Sequence, residues 1–250
     1  MDKVCAIGVV YSADEVDGLS TRYALSAPVI IVNNGGCPEP KNAPVSWTFI
    51  RSDGNVGLPK AKNAALCLAL KKFPAVEYFF FFSPDVSFND DSVFHLIDLA
   101  NRDEKIACVG WHRCVFGGSK EQMRVIGDYG ECVECGDAIL LVKRQAFDSI
   151  GRFDERFFLH GFDIDWCRRA HGMGWDIVVS MSDNLFRFRT DDAAPKSVWC
   201  QEKIRRDNFM LDEQYFGAWH NWRMEFAPYP PSCGGIIRHD VFQEKWRIIR

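Results

Sequence analysis

The stretch Glu77-Tyr78-Phe79-Phe80-Phe81-Phe82-Ser83-Pro84-Asp85 indicates the fold class most directly. A short, continuous apolar run that ends at a proline corner is typical of a strand buried on both faces, as in the middle of a parallel sheet. Polar residues that follow such a strand lie where open α/β sheets bind their ligands. The sequence therefore predicts a central strand with Asp85 projecting into a crevice.

Strand and helix patterns alternate on both sides of this strand. Strand-like segments are expected at residues 4–11, 28–32, 45–51, 77–82 and 106–110, and helices at 14–26, from Pro59, and after a cap at Asn89 or Asp90. This β-α-β order predicts an α/β fold with a mostly parallel open sheet and helices on both faces. Val93, Phe94, Ile97 and Ala100 are expected on the buried face of the third helix.

The second half of the chain has a less regular pattern. Residues 111–135 are predicted to form a loop-rich excursion, followed by a strand at 136–142 and a helix at 144–150. A helix around Asp163 and Cys167 is expected to end at His171-Gly172, before a strand at 175–179. We expect a catalytic domain at 1–190 and a helical or loop extension at 191–250, packed on it, with a helix at 195–210.

Charge and hydrophobicity exclude several classes of protein. The net charge is −4, 47% of the residues are hydrophobic, and no basic run exceeds Lys71-Lys72 or Arg205-Arg206, so a nucleic-acid partner is disfavoured. No stretch approaches the roughly 20 apolar residues of a membrane span, so no transmembrane segment is expected. The first ten residues are predicted to form a buried strand and not a signal peptide.

The ten cysteines are scattered, and many lie in apolar strands or helices. Free buried thiols are the favoured interpretation, and they indicate a reducing, cytoplasmic location. Cys132-x-x-Cys135 has zinc-ligand spacing, whereas His112-x-Cys114 does not complete a standard zinc ribbon. A structural zinc ion is therefore the alternative to free thiols at this place.

Asp85 is the first candidate for a chemical role. A carboxylate at the end of a buried strand could hold a divalent cation that bridges a diphosphate, because Mg²⁺ and Mn²⁺ prefer oxygen ligands. The alternative is an ordinary turn residue that accepts backbone N–H bonds.

Five segments together resemble inverting glycosyltransferases of family two, which have the A-type nucleotide-sugar fold, and in particular the rhamnosyltransferase-like branch. Their order along the chain carries the resemblance. They are Val29–Gly36; Asn55-Val56-Gly57 with Lys62-Asn63; Phe81–Val86, similar to Leu-Asp-Pro-Asp-Val; Gly136-Asp137-Ala138 through Arg144–Phe147 and Ile150–Phe158, similar to Gly-Ala…Arg-Arg-Glu-Ala-Phe…Ile-Gly-Gly-Phe-Asp-Glu-x-Phe-Phe; and Asp163-x-Asp165 with Arg168.

The resemblance implies roles for particular residues. Asp163 would be the general base of a single displacement with inversion, and Asp85 would bind Mn²⁺ or Mg²⁺. The residues expected to bind the nucleotide sugar are Tyr11, Asn33, Asn34, Asn55, Gly57, Lys62, Asn63 and Arg187. Those expected to contact the acceptor are Trp111, His112, Asp137, Asp154, Glu155 and Asp165. Alternatively, Asp163 is a helix N-cap, Asp154 caps a turn, and Trp111 packs in the core.

The chain departs from the family pattern at three places. Ser83 replaces the first aspartate of the metal motif, Asn33 replaces the aspartate that contacts the base, and the late metal-binding histidine is absent. The first and third departures leave metal dependence open. Arg187 or Arg189 could instead offset the charge of the diphosphate.

The predicted function is transfer of a hexose or deoxyhexose from a nucleoside diphosphate sugar, UDP or dTDP, to a hydroxyl acceptor such as a glycan. The alternative is a non-catalytic scaffold of the same fold that binds a nucleotide or glycan. A nucleotidyltransferase ranks lower, because residues 10–15 offer neither a glycine-rich phosphate loop nor a basic residue.

Overall fold

A computed structural model describes residues 1–11, 25–36, 44–115 and 123–188, residues 19, 23, 203, 206, 207, 210 and 211, and the backbone of 247–249. The described strands are β1 (Val4–Val10), β2 (Val29–Asn33), β3 (Trp47–Arg51), β4 (Tyr78–Phe82), β5 (Val86–Ser87), β6 (Ile106–Trp111), β7 (Arg124–Ile126), β8 (Tyr129–Cys132), β9 (Ile139–Lys143), β10 (Asp176–Ser180), β11 (Arg187–Phe188) and β12 (Arg247–Ile249). The helices with described bounds are α1 (Leu58–Lys72), α2 (Asp90–Ala100), α3 (Arg144–Ile150) and α4 (Phe162–Gly172).

The main sheet has the strand order β12-β3-β2-β1-β4-β9-β6-β10-β8-β7. Strands β3, β2, β1 and β4 are parallel neighbours, and β6 is parallel to β10. Strand β9 lies antiparallel between β4 and β6, so these two strands share one direction. The sheet is therefore open, mixed and mostly parallel, which confirms the predicted fold class.

The apolar strand β4 separates two hydrophobic cores. Phe79 and Phe81 face the core that contains buried residues of α1, α3 and α4. Phe80 and Phe82 face the second core, where α2 packs. Because successive side chains of a strand point to opposite faces, a run of apolar residues is what a strand covered by helices on both sides requires.

Helix α2 begins as its sequence predicts, but its buried face differs by one position. Asn89 is the N-cap: its side chain accepts the N–H of Ser92, whose hydroxyl accepts the N–H of Asn89. Phe94 is 46% exposed, so the prediction that it packs in the core was wrong. Leu96 is buried instead, on the face that Val93 shares.

Two other predictions need correction, and two predicted helices fall largely outside the described residues. The segment 111–135, predicted to be loop-rich, contains the antiparallel pair β7 and β8, and β8 extends the sheet beside β10. The strand predicted at 136–142 begins only at Ile139.

Of the helix predicted at 14–26, Leu19 is helical and Tyr23 and Ser26 are not. Most of the helix predicted at 195–210 is not described, although Lys203, Asp207 and Met210 are helical.

The parallel half of the sheet brings the predicted polar residues to one edge. Tyr11, Asn34, Ser52 and Ser83 follow β1, β2, β3 and β4 respectively, and these strands share one direction. A cavity of about 700 Å³ opens at the opposite edge, lined by residues that include Glu77, and it contains none of the predicted site residues. Among the described helices, none combines the length and the apolar character that crossing a membrane requires.

Candidate active site

The turn after β4 presents Asp85 to solvent. The Ser83 N–H donates to the Ala138 carbonyl at 2.9 Å, and the Val86 N–H donates to the Ser83 carbonyl at 3.1 Å. The buried Tyr23 hydroxyl lies 2.9 Å from the Pro84 carbonyl and 2.8 Å from that of Val86. The backbone of the turn is thus held from both sides, while the Asp85 side chain is exposed.

Strand pairing brings Arg187 to this turn. In the two-stranded sheet of β5 and β11, Arg187 lies opposite Ser87, two residues after Asp85. Arg187 is exposed, so its guanidinium can approach an anion near the turn. Arg189, the other predicted cation, lies outside the described residues.

Asp163 lies in the first turn of α4 and is 4% exposed. Its carboxylate accepts the N–H of Asp137 at 3.0 Å and that of Ile164 at 2.9 Å. Burial, followed by the nearby charge of Asp137, outweighs these bonds and raises the pKa of Asp163 to about 8. The N-cap of α4 is Gly161, with φ of 80°, so the alternative that Asp163 serves as the N-cap was wrong.

Asp137 is paired with Lys62, whose side chain is 3% exposed. The Lys62 ammonium lies 5.4 Å from the centre of the Phe81 ring and 5.6 Å from that of Phe162. Helix α1 thus delivers a buried cation to the carboxylate beside Asp163. The pair is a link between α1 and the segment before β9.

Three of the predicted carboxylates affect one buried thiol electrostatically. Burial raises the pKa of Cys114 to about 12, and the negative charges of Asp137, Asp163 and Asp85 add to that effect. The three carboxylates follow or belong to different elements, so only the folded sheet edge brings them into one neighbourhood.

The predicted nucleotide-binding side chains on the loops after β2 and β3 bond to one another. The Asn34 amide donates to Asn55 Oδ1 at 3.0 Å, and Asn34 Oδ1 accepts the Val56 N–H at 3.0 Å and the Ser52 hydroxyl at 3.2 Å. Asn33 is 5% exposed. These residues fix the shape of the loop, and Tyr11, after β1, is 53% exposed.

Asn63 connects α1 to the segment after α3. Its amide donates to the Phe153 carbonyl at 2.9 Å and to the Glu155 carboxylate at 3.0 Å, and its oxygen accepts the Phe153 N–H at 3.2 Å. Asp154 accepts the Arg156 N–H at 2.9 Å, as expected for a residue that caps a turn. The structure therefore brings Asn63 and Glu155 together as internal partners.

The remaining predicted acceptor residues lie in packed or ion-paired positions. Trp111 is 1% exposed, with its ring 5.6 Å from that of Phe186, which matches the packing alternative. His112 Nε2 lies 3.3 Å from the Asp183 carboxylate. Asp165 is fully buried and pairs with Arg169 at 2.9 Å.

Asp207 is a buried residue next to the candidate site that sequence analysis missed. It is fully buried, and its carboxylate accepts the N–H groups of Phe158, Leu159 and His160 at 2.7–3.2 Å. These residues directly precede α4, so Asp207 fixes the backbone that leads into the helix carrying Asp163. The charged residues around Asp207 form no motif, because the contact joins segments about fifty positions apart.

Gly57 has a backbone requirement that a side chain would violate. Its φ is +89°, and an added Cβ would lie 2.7 Å from the Phe158 carbonyl oxygen. We expect Gly57→Ala to lower the free energy of unfolding by about 2 kcal/mol through strain. Gly54→Ala is the matched control, because a Cβ there meets no atom within 4 Å. Equal melting temperatures for the two variants would contradict the requirement.

Removal of the positive charge of Lys62 should leave the negative charge of the Asp137 carboxylate without a partner. We expect Lys62→Met to lower the free energy of unfolding by about 2 kcal/mol, less than for a fully buried pair, because Asp137 is 20% exposed and can hydrate. Lys60→Met, on the exposed side of the same helix, is the control. Urea unfolding that shows no difference between the two variants would argue against a stabilising pair.

Comparisons with known proteins address the fold. No family model matches the sequence, and no curated protein matches it. The structure resembles that of GalNAc-T7 with UDP, GalNAc and Mn²⁺, at a TM-score of 0.50 and 9% identity over 71% of this chain and 42% of that one. It also resembles the mannosyltransferase PcManGT from Pyrobaculum calidifontis with GDP-Man and Mn²⁺, at a TM-score of 0.53 and 15% identity over 82% and 60% of the two chains.

The chain has the A-type glycosyltransferase fold. At this level of identity the likeness concerns the fold alone. The chain spans less than two thirds of the length of either neighbour.

Proposed function

We propose that this protein is an inverting glycosyltransferase that moves a hexose or deoxyhexose from a UDP or dTDP sugar to a hydroxyl acceptor. The observation that carries the proposal is the buried Asp163 carboxylate, with its pKa raised to about 8, at the same sheet edge as Asp85. A carboxylate tuned towards neutral pH suits proton abstraction. Both structural neighbours contain a nucleotide or nucleotide sugar with Mn²⁺, which supports this class of donor.

In the proposed reaction Asp163 takes the proton of the acceptor hydroxyl. The oxygen of that hydroxyl then attacks the anomeric carbon, and the bond from this carbon to the diphosphate breaks with inversion. The N–H bonds from Asp137 and Ile164 orient the Asp163 carboxylate. Its raised pKa makes Asp163 a stronger base than an exposed aspartate, because the proton it gains is held more tightly.

The residues present fit a divalent cation whose remaining coordination positions are filled by the substrate. Mn²⁺ and Mg²⁺ are often held by one or two carboxylates together with substrate phosphates, and Asp85 is an exposed carboxylate on a well-supported turn. Among the described residues, the one group of three close His, Cys, Asp or Glu ligand atoms is made of cysteines, so the carboxylates do not form a preassembled metal cage. When bound at Asp85, the cation would neutralise charge on the diphosphate.

Arg187 is proposed to contact the same diphosphate. It lies opposite Ser87, beside the turn that carries Asp85, and its guanidinium can donate two parallel hydrogen bonds to phosphate oxygens. The exposed Tyr11, after β1, is proposed to lie against the nucleotide base. We propose that the remaining predicted donor residues shape this pocket through their bonds to the scaffold; they are Asn33, Asn34, Asn55, Gly57, Lys62 and Asn63.

The acceptor is proposed to enter beside Asp163. Asp137, 20% exposed through its side chain, and the partly exposed His112 are the predicted acceptor residues with open surface near the sheet edge. Asp154 and Glu155 are proposed to shape the surrounding wall. Trp111 and Asp165, which are buried, would act through packing and through the orientation of α4.

Donor binding and turnover test the proposal together. Melting temperature is measured with UDP, dTDP and GDP and their sugars, each with Mn²⁺, Mg²⁺ or EDTA, because a ligand that binds only the native state stabilises it. We expect a higher melting temperature with UDP or dTDP. With a glycan acceptor we expect release of the nucleoside diphosphate and an inverted anomeric centre by NMR. A nucleotide shift without turnover would support the non-catalytic scaffold, and absence of any shift would contradict both functions.

A further inference from the structure

Three cysteines from separate elements meet in the core beneath α4. Cys108 lies in β6, Cys135 follows β8, and Cys167 lies in α4. All three are fully buried, and their sulfur atoms lie within 4.8 Å of one another. The Sγ atoms of Cys135 and Cys167 are 4.0 Å apart. None of these residues belongs to the carboxylate edge proposed as the active site.

The spacing of the sulfur atoms suits a metal ion better than a disulfide. A disulfide joins two sulfur atoms at about 2.05 Å, roughly half the observed separation. Zinc–sulfur bonds of about 2.3 Å in a tetrahedral site place neighbouring sulfur atoms about 3.8 Å apart. The 4.0 Å between the Cys135 and Cys167 sulfur atoms is close to this spacing, and the third sulfur lies within 4.8 Å of both.

Cys132 is the candidate fourth ligand, and its sulfur lies outside the group of three that are within 4.8 Å of one another. Cys132 ends β8, three positions before Cys135, with the C-x-x-C spacing of zinc sites. The backbone leaves space for this group, because a Cβ at Gly110 would lie 2.8 Å from the Cys135 sulfur.

We propose that Cys108, Cys135 and Cys167, completed by Cys132, bind one structural Zn²⁺ ion. On binding, each thiol releases its proton to solvent and the sulfur coordinates as a thiolate, with no change in oxidation state. The sulfur ligands separate this site from the oxygen-ligated cation proposed at Asp85.

The position of the ion gives it a structural role. Cys167 lies four residues after Asp163 in the same helix, and Cys108 lies in the sheet below it. A zinc ion bound to both would fix α4, and with it the Asp163 carboxylate, against the sheet. The cluster then stabilises the geometry of the site without taking part in sugar transfer.

Metal content of the purified chain tests the proposal. The protein is expressed with added zinc, purified under reducing conditions, and analysed by inductively coupled plasma mass spectrometry. We expect one zinc per chain for wild type and for Cys5→Ser, an equally buried cysteine of β1 outside the cluster, and near-complete loss for Cys167→Ser. Cys132→Ser should lose zinc to EDTA faster than wild type.

Cobalt substitution keeps the test decisive if a serine variant fails to fold. Exchange of wild-type protein into Co²⁺ should produce the near-ultraviolet thiolate charge-transfer band and the visible bands of a tetrahedral site. Wild-type protein that carries no zinc and shows no cobalt bands would overturn the proposal. Unchanged zinc in Cys167→Ser, or an intact mass that reports a disulfide in the cluster, would overturn it equally. Sugar transfer is not a readout of these experiments.

Discussion

Asp163→Asn is expected to lower kcat at least about 100-fold, because general-base catalysis commonly supplies that factor or more. Asparagine keeps the shape of the side chain, but its single oxygen can accept only one of the two N–H groups, because Asp137 donates to Oδ2 of Asp163 and Ile164 to Oδ1. Circular dichroism should therefore confirm that the fold is retained. The measurement is release of the nucleoside diphosphate under saturating donor and acceptor. Asp98→Asn, at an exposed position of α2, is the control.

The same variant should be more stable than wild type in alkaline solution. The pKa of Asp163 is raised in the folded protein from 3.8 to about 8, so the folded state binds more protons than the unfolded state between these values. Wild-type stability therefore falls as pH rises through this window, whereas the neutral amide contributes no such loss. The melting temperature of Asp163→Asn should exceed that of wild type at pH values above about 8.

The pH dependence of turnover provides an independent check on Asp163. The base must be deprotonated to act, so kcat/KM should rise with pH and level off above an apparent pKa near 8. A variant with kcat within about threefold of wild type would show that Asp163 is not the base, because such a change is far below the usual contribution of general-base catalysis. A flat profile would contradict its titration in the reaction.

Asp207→Ala is expected to have the largest effect on stability. The fully buried carboxylate accepts three backbone N–H groups, and each unsatisfied buried donor costs about 1–3 kcal/mol. We expect a loss of about 4 kcal/mol, with a melting temperature lower by about 10 °C for a chain of this size. The measurement is thermal unfolding followed by circular dichroism.

Asp207 should also affect catalysis through Asp163, because residues 158–160 lead directly into α4. Asp207→Asn, which retains one acceptor oxygen, should recover part of the stability and part of kcat, with little change in KM for the donor. The exposed Asp176 at the start of β10 offers the control Asp176→Asn. Equal melting temperatures for wild type and Asp207→Ala would contradict the positioning role.

Local patterns predict the first half of the fold well, for a physical reason. The apolar run at Phe79–Phe82 and the cap at Asn89 are properties of short segments, and a buried parallel strand or a capped helix needs little more information. The second half depends on pairing between distant segments. The antiparallel insertion of β9 between β4 and β6, and the β7–β8 pair, result from contacts across the sheet that no local period reports.

The candidate site divides in the same way. Asp85 and Asp163 stand out in sequence because each lies at the end of a strand or the start of a helix, where local patterns indicate a crevice. The raised pKa of Asp163 and the contribution of Asp207 arise only when the chain is folded, because burial and long-range hydrogen bonds create them. Asn63 was predicted from its motif to bind the donor. In the structure its side chain bonds to Phe153 and Glu155 and so joins two segments of the scaffold, a contact that the motif does not reveal.

Hydrophobic period and residue order were thus sufficient for the alternating α/β architecture with a crevice at the strand ends, whereas the candidate base came from the family resemblance. Three-dimensional packing was needed to show that Cys108, Cys135 and Cys167 share one buried cluster and that Lys62 reaches Asp137. The physical reason is the range of the interactions: helix and strand periods depend on neighbouring residues, whereas desolvation, ion pairing and metal-ligand geometry depend on atoms that only the fold brings together.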